Sequence, residues 1–212
     1  LKELVELLRA HRWCFGQERV YQRGMALVLG ELMTFGRHTV TQLLLTLGMV
    51  SGDWSAWYRL FSCERVKEEE LATQLMRETL KHVAADEVYA IGTDGTQIPR
   101  SSLRMPGTSW LKALWTAPFR PGIARAQRFV HGCWFTPLVN GFSRAIPLRF
   151  LPAFPAKAQA AAKGDIRKEW EAGLVIVQWV RQQAGDFQLA TVDLADAARL
   201  LAGSRRDLAN DV

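Results

Sequence analysis

The stretch Val88-Tyr89-Ala90-Ile91-Gly92-Thr93-Asp94 divides the chain into two differently built parts. Its first six residues are small, β-branched or aromatic, and they end on a carboxylate. A short apolar run of that kind reads as a buried strand delivering an acid at its end. Before it the apolar residues recur at helix spacing. After it the signals are those of strands and turns.

Residues 1–85 read as helices. Leu1, Leu4, Val5, Leu7 and Leu8 mark one apolar face, and a second periodic stretch covers Gln17 to Met33. Thr39 can cap a third helix, Val40 to Leu47, that Gly48 ends. Asp53 can cap a fourth, Trp54 to Phe61, and Glu68 to Val83 makes a fifth. The third and fourth have helix-turn-helix proportions. With one basic residue, Arg59, on the second of them, a plain helical hairpin fits better.

Beyond Asp94, six Pro and Gly residues between Pro99 and Gly122 predict an irregular insertion. Arg128–Leu138 and Arg144–Leu151 read as two strands joined by Asn140-Gly141, a strong hairpin signal because both residues tolerate positive φ. Ala156 to Ala184 reads as one long helix, with Trp170, Leu174, Val177 and Val180 at core spacing. A last apolar run, Phe187–Val192, ends at Asp193, and Asp196 to Leu201 begins a further helix. The expected class is α+β, with a helical region over 1–85 and a mixed-sheet domain over 86–212.

The charge is unevenly placed. Residues 1–94 carry 11 basic and 13 acidic side chains, residues 165–212 carry 6 and 8, and the window 95–164 carries 10 and none. The whole excess behind the net +6 therefore lies in the middle. A localised field of this kind suits a polyanion, nucleic acid above all, although a basic solvated surface would look the same. Cys14, Cys63 and Cys133 are scattered, and His11, His38, His82 and His131 do not cluster with them, so neither a zinc site nor a disulfide framework is expected. His131 reads as an ordinary strand residue. No apolar run approaches the roughly 20 residues of a membrane span. The chain starts at Leu1 and stops at Val212 without a terminating feature, and a fragment of a longer protein is expected.

Asp94 and Asp193 both follow apolar runs. On neighbouring strands their ends would lie roughly 5 Å apart, a separation at which two carboxylates need a cation between them. Mg²⁺ suits such a pair, and two ions about 4 Å apart can clamp the attacking and leaving oxygens of a phosphodiester.

Ile91-Gly92-Thr93-Asp94-Gly95-Thr96-Gln97-Ile98-Pro99-Arg100, Met105-Pro106-Gly107, Gln127-Arg128-Phe129 and Ser143-Arg144-Ala145-Ile146-Pro147-Leu148 resemble the first part of DDE-type transposases of bacterial insertion sequences, DDE superfamily endonucleases. Arg37-His38-Thr39-Val40-Thr41 and Trp54-Ser55-Ala56-Trp57-Tyr58-Arg59 resemble the region that precedes that catalytic domain. The resemblance implies a ribonuclease-H-like domain, incomplete here, and Mg²⁺- or Mn²⁺-dependent cleavage at transposon ends with strand transfer into target DNA. Asp94 and Asp193 would be its first two catalytic, metal-holding acids. The family often has Gly soon after the second acid, whereas Asp193 is followed by Leu194-Ala195-Asp196, which leaves Asp196 as a rival. The third acid, a Glu on a later helix, has no counterpart, so the 212 residues are expected to bind DNA without cutting it.

In that frame Arg100, Arg104, Lys112, Arg120, Arg125 and Arg128 would contact phosphates. Trp110, Trp115 and Phe119 would stack on bases or, equally, pack the insertion onto the sheet. The implied partners are DNA at transposon ends and target, with a homo-oligomer as an option and no membrane, in a bacterial cytosol or nucleoid. Two readings from other classes stand beside it: a non-catalytic DNA-binding remnant, and a structural or interaction protein with a basic surface.

Overall fold

A computed structural model of the chain describes residues 2–62, 65–84, 86–102, 104–113, 122–185 and 189–193, the last five by their backbone. The chain forms two compact units, Leu1–Glu78 and Thr79–Val212.

The first unit is helical: α1 (Lys2–Ala10), α2 (Glu18–Met33), α3 (Val40–Thr46), α4 (Ser55–Ser62) and most of α5 (Glu68–Leu80). Thr39 caps α3 as its sequence suggests, its Oγ1 accepting from Gln42 N at 3.3 Å. Cys14, Phe15 and Val20 form one apolar cluster, and Leu27, Leu43 and Leu44 a second, flanked by Trp54 and Trp57. Gly30 lets α2 approach α3, because a β-carbon there would lie 3.2 Å from that of Leu43.

The second unit is a five-stranded mixed sheet with one helix described against it. Its strands are β1 (Tyr89–Pro99), β2 (Ser109–Lys112), β3 (Ile123–Phe135), β4 (Ala145–Pro152) and β5 (Leu189–Asp193), and α6 (Glu169–Ala184) precedes β5. β1 lies between an antiparallel β3 and a parallel β5. The far edge of β3 is shared in tandem by β2 and β4, both antiparallel. This is the α+β, ribonuclease-H-like arrangement the sequence predicts. The Asn140-Gly141 turn forms with φ of 53° and 76°, and β3 and β4 pair around it. β4 slips by one residue opposite Gly132 and Cys133, a bulge.

Several elements differ from expectation: β2 forms within the stretch expected to be irregular, and β3 spans Ile123–Phe135 where a strand over Arg128–Leu138 is expected. β1 does not stop at Thr93 but runs on to Pro99, because β3 is long enough to pair with it from Ala90 to Pro99. The helix expected over 156–184 begins only at Glu169. The alanine-rich stretch before it is broken into turns and a short 3-10 turn, Lys163–Asp165, around single bridges: Gln159 N donates to Thr108 O at 3.0 Å, Gly107 N donates to Gln159 O at 2.8 Å, and Phe154 pairs with Ile166. Helix propensity loses there to backbone pairing that the sequence does not display.

α6 meets the sheet through Ala172, Gly173, Ile176, Trp179 and Val180. Small residues at 172 and 173 allow close approach, and a β-carbon at Gly173 would sit 3.4 Å from Thr93 Oγ1. Trp170 and Leu174, expected in that core stripe, are instead 63% and 48% exposed. The helix expected over 196–201 lies outside the described residues.

Candidate active site

Asp94 sits midway along β1, at the point where the described pairing with β5 stops. The register sets Thr93 beside Asp193, the last residue of β5, so Asp193 is one position removed from Asp94 on the neighbouring strand. The side chain of Asp193 and all of Asp196 lie outside the described residues.

Alternation along β1 assigns the two faces of the strand. Ile91 is fully buried, Thr93 meets Gly173, and Gly95 faces Glu169, so these three point toward α6. Asp94 points to the other face, directly across from His131 on β3. It is exposed and makes no hydrogen bond or ion pair among the described residues. His131 stacks on Phe150 with ring centroids 6.2 Å apart, and its Nδ1 is buried without a hydrogen-bond partner. The nearby Cys133 thiol is pushed up, first by burial and then by the negative charge of Asp94.

A cleft of about 960 Å³ opens beside Asp94 and Gly95, walled by Arg128 from β3 and by Arg167, Lys168, Glu169 and Trp170 at the start of α6. The missing side chain of Gly95 makes room for Glu169, whose Oε1 lies 2.8 Å from where a β-carbon would be. Arg128 Nε is 3.1 Å from that same Oε1. The alignment is too poor for a hydrogen bond, and the contact is an ion pair only. Glu171 Oε2 accepts from Lys168 N at 2.7 Å, securing the first turn of the helix. Arg167, Lys168, Glu169 and Trp170 were not singled out from the sequence as site residues. They lie more than seventy positions from Asp94, and the signal available was two cations followed by Trp at a helix start.

The six cations expected on DNA have unequal surroundings. Arg128 lines the cleft and faces Glu169. Arg125 donates through Nη2 to Thr108 Oγ1 at 2.6 Å and Gln159 Oε1 at 2.8 Å, and through Nε to Ser102 O at 3.2 Å. Arg100 Nε donates to Gln127 Oε1 at 2.8 Å. These two tie the loop after β1 to β3. Arg100 is six positions beyond Asp94, about 20 Å along an extended strand. Arg104 and Lys112 are exposed, and their side chains make no hydrogen bond or ion pair among the described residues. Trp110 is 57% exposed. Arg120, Trp115 and Phe119 lie outside the described residues.

Among the described residues no group of three His, Cys, Asp or Glu is placed to hold a metal ion, and no helix is long and apolar enough to cross a membrane. No curated protein and no solved structure matches the chain significantly. A family profile does: that of the DDE superfamily endonucleases, over residues 13–203. With an unpaired carboxylate on the central strand of a mixed sheet, the parallel neighbour ending beside it, and a match across most of its length, the chain belongs to the DDE superfamily endonuclease family.

Proposed function

We propose that this chain carries the first part of the catalytic domain of an insertion-sequence transposase, with Asp94 and Asp193 as two of its metal-holding acids and DNA as substrate. The observation that carries the reading is the register of β1 and β5, which brings Asp193 to within one position of an unpaired Asp94. Members of the superfamily generally use divalent metal ions. The donors suit Mg²⁺ or Mn²⁺, which take one or two carboxylates and complete their shells with water. The cation would polarise the scissile phosphate and activate the attacking water or 3′-hydroxyl. The chain's own contribution is to hold the carboxylates on rigid strands and to offer cations to the phosphates on either side.

The DNA would be taken from transposon ends and target, in the cytosol or nucleoid of a bacterium, with residues 1–85 as a helical region serving the catalytic domain over 86–212. Titration with Mn²⁺, followed by electron paramagnetic resonance, tests the metal site. Wild-type chain should bind the ion, and Asp94→Asn should weaken binding at least about tenfold, the loss of one charged ligand. Unchanged binding in Asp94→Asn would remove Asp94 from the site. Gel shifts over a salt series test the partner, since contacts to several phosphates make affinity fall steeply with salt. DNA binding retained with no metal binding would favour the non-catalytic remnant.

A further inference from the structure

The cleft at the start of α6 holds a combination that the metal site does not use. Trp170 lies on the first turn of the helix with 63% of its surface exposed, although the buried face of α6 is supplied by other residues. Lys168 Nζ stands 5.9 Å from the centroid of its ring, and Arg167 lines the same wall. Glu169 is faced by Arg128 at 3.1 Å, which offsets its charge and leaves Arg167 and Lys168 as the net positive charge of the wall. The cleft, about 960 Å³, is of the size that accepts small organic ligands.

Three kinds of occupant can be compared. A simple anion would satisfy Arg167 and Lys168 but leave the indole in water. An apolar ligand would cover Trp170 but desolvate Lys168 and Arg167 with no anion beside them, Arg167 keeping only its bond to the Gly164 carbonyl, which is unfavourable. A nucleotide uses both, its base on the ring and its phosphate on the cations. Inside a duplex both faces of a base are covered by its neighbours, so the nucleotide must be unpaired.

We propose that this cleft binds one unpaired nucleotide of a DNA strand, with the base stacked on Trp170 and the adjoining phosphate on Lys168 and Arg167. The proposal rests on the reading of DNA as substrate, and it adds a single-strand subsite on the α6 face of β1, across the strand from the Asp94 carboxylate. Stacking on an indole is tolerant of base identity, because every base has a π face, so the subsite selects unpaired DNA and not a sequence.

The test compares wild-type chain, Trp170→Ala, Trp170→Phe and Lys168→Ala on three probes: a short oligo-dT, an abasic oligomer of the same length, and a blunt duplex. Circular dichroism melting confirms that each variant is folded, as expected for changes at exposed positions. Trp170→Ala should weaken oligo-dT binding about tenfold, Trp170→Phe should recover most of that, and neither should alter binding of the abasic oligomer or the duplex. Lys168→Ala should weaken binding of oligo-dT and abasic oligomer alike and lower the salt slope by about one phosphate contact. Equal losses on oligo-dT and abasic oligomer in Trp170→Ala, or no loss on either, would overturn the subsite while leaving DNA as a substrate. Failure of wild-type chain to bind any of the three probes at low salt would overturn both readings.

Discussion

The carboxylate of Glu169 occupies the space that a side chain at position 95 would fill, 2.8 Å from the missing β-carbon. Gly95 therefore controls where the first acid of α6 sits, and with it the ion pair to Arg128.

Gly95→Ala should displace Glu169 from Arg128 at little cost. The obstructing atoms are the far end of a flexible side chain that is 46% exposed, and the ion pair is worth under about 1 kcal/mol at such exposure. Gly132→Ala gives the contrast. Its β-carbon would run into Ile176, which is fully buried between α6 and the sheet, and overpacking there should cost about 1–3 kcal/mol. Denaturant unfolding of the two variants should show the difference, and equal midpoints would contradict it.

At Gly107 two penalties coincide. The backbone is held at φ of 76°, and a side chain would collide with the ring of Phe154. Gly107→Ala should lose about 3 kcal/mol or more, measured by thermal unfolding, and should loosen the pairing of residues 107–108 with Gln159.

The cations of the basic window should separate by experiment into two groups. Arg104→Ala and Lys112→Ala should each lower the salt slope of DNA binding by about one contact with no change in melting temperature. Arg125→Ala should instead destabilise the fold by about 1–3 kcal/mol, because Thr108, Gln159 and the Ser102 carbonyl lose their donor. A stability loss in Lys112→Ala as large as that in Arg125→Ala would show the division to be wrong.

Tyr89 is fully buried, and its hydroxyl lies 2.7 Å from Thr79 Oγ1. Burial pushes the phenol from its usual value of 10.0 up to about 12. The folded state thus keeps a proton that the unfolded chain releases, so this contribution to stability is complete below pH 10 and is lost as pH rises from there toward 12. Denaturant unfolding at pH 9 and pH 11 should show the fall. Tyr89→Phe should remove that pH dependence and cost about 1 kcal/mol at neutral pH for the missing hydrogen bond.

Local signals in the sequence located the hairpin at Asn140-Gly141, the cap at Thr39 and the strand that carries Asp94, since each depends on the residues themselves. What was hidden depends on partners distant in the chain. β1 continues past Asp94 through Gly95, Thr96 and Gln97, a polar stretch that only β3 turns into strand. Ala156–Ala162 has helix-forming composition but is broken into turns around the single bridge from Gln159 to Thr108. Trp170 has core spacing, yet the close approach of Gly173 to Thr93 turns the helix so that Trp170 faces the cleft. The cleft is formed from a strand and a helix start that meet only after folding, so its Arg, Lys, Glu and Trp had no shared pattern to betray them.

The bulged β4 makes part of one sheet edge a poor template for pairing. Pro147 and Pro152 remove two amide hydrogens from this edge strand, and the slip opposite Gly132 and Cys133 twists its ladder. An extended segment approaching from that side finds an interrupted row of donors and a poor template for pairing. β5 contains no proline, and among the described residues no strand lies on its outer side. Of the two edges, the row along β5 is thus the better template for a further strand than the row along β4.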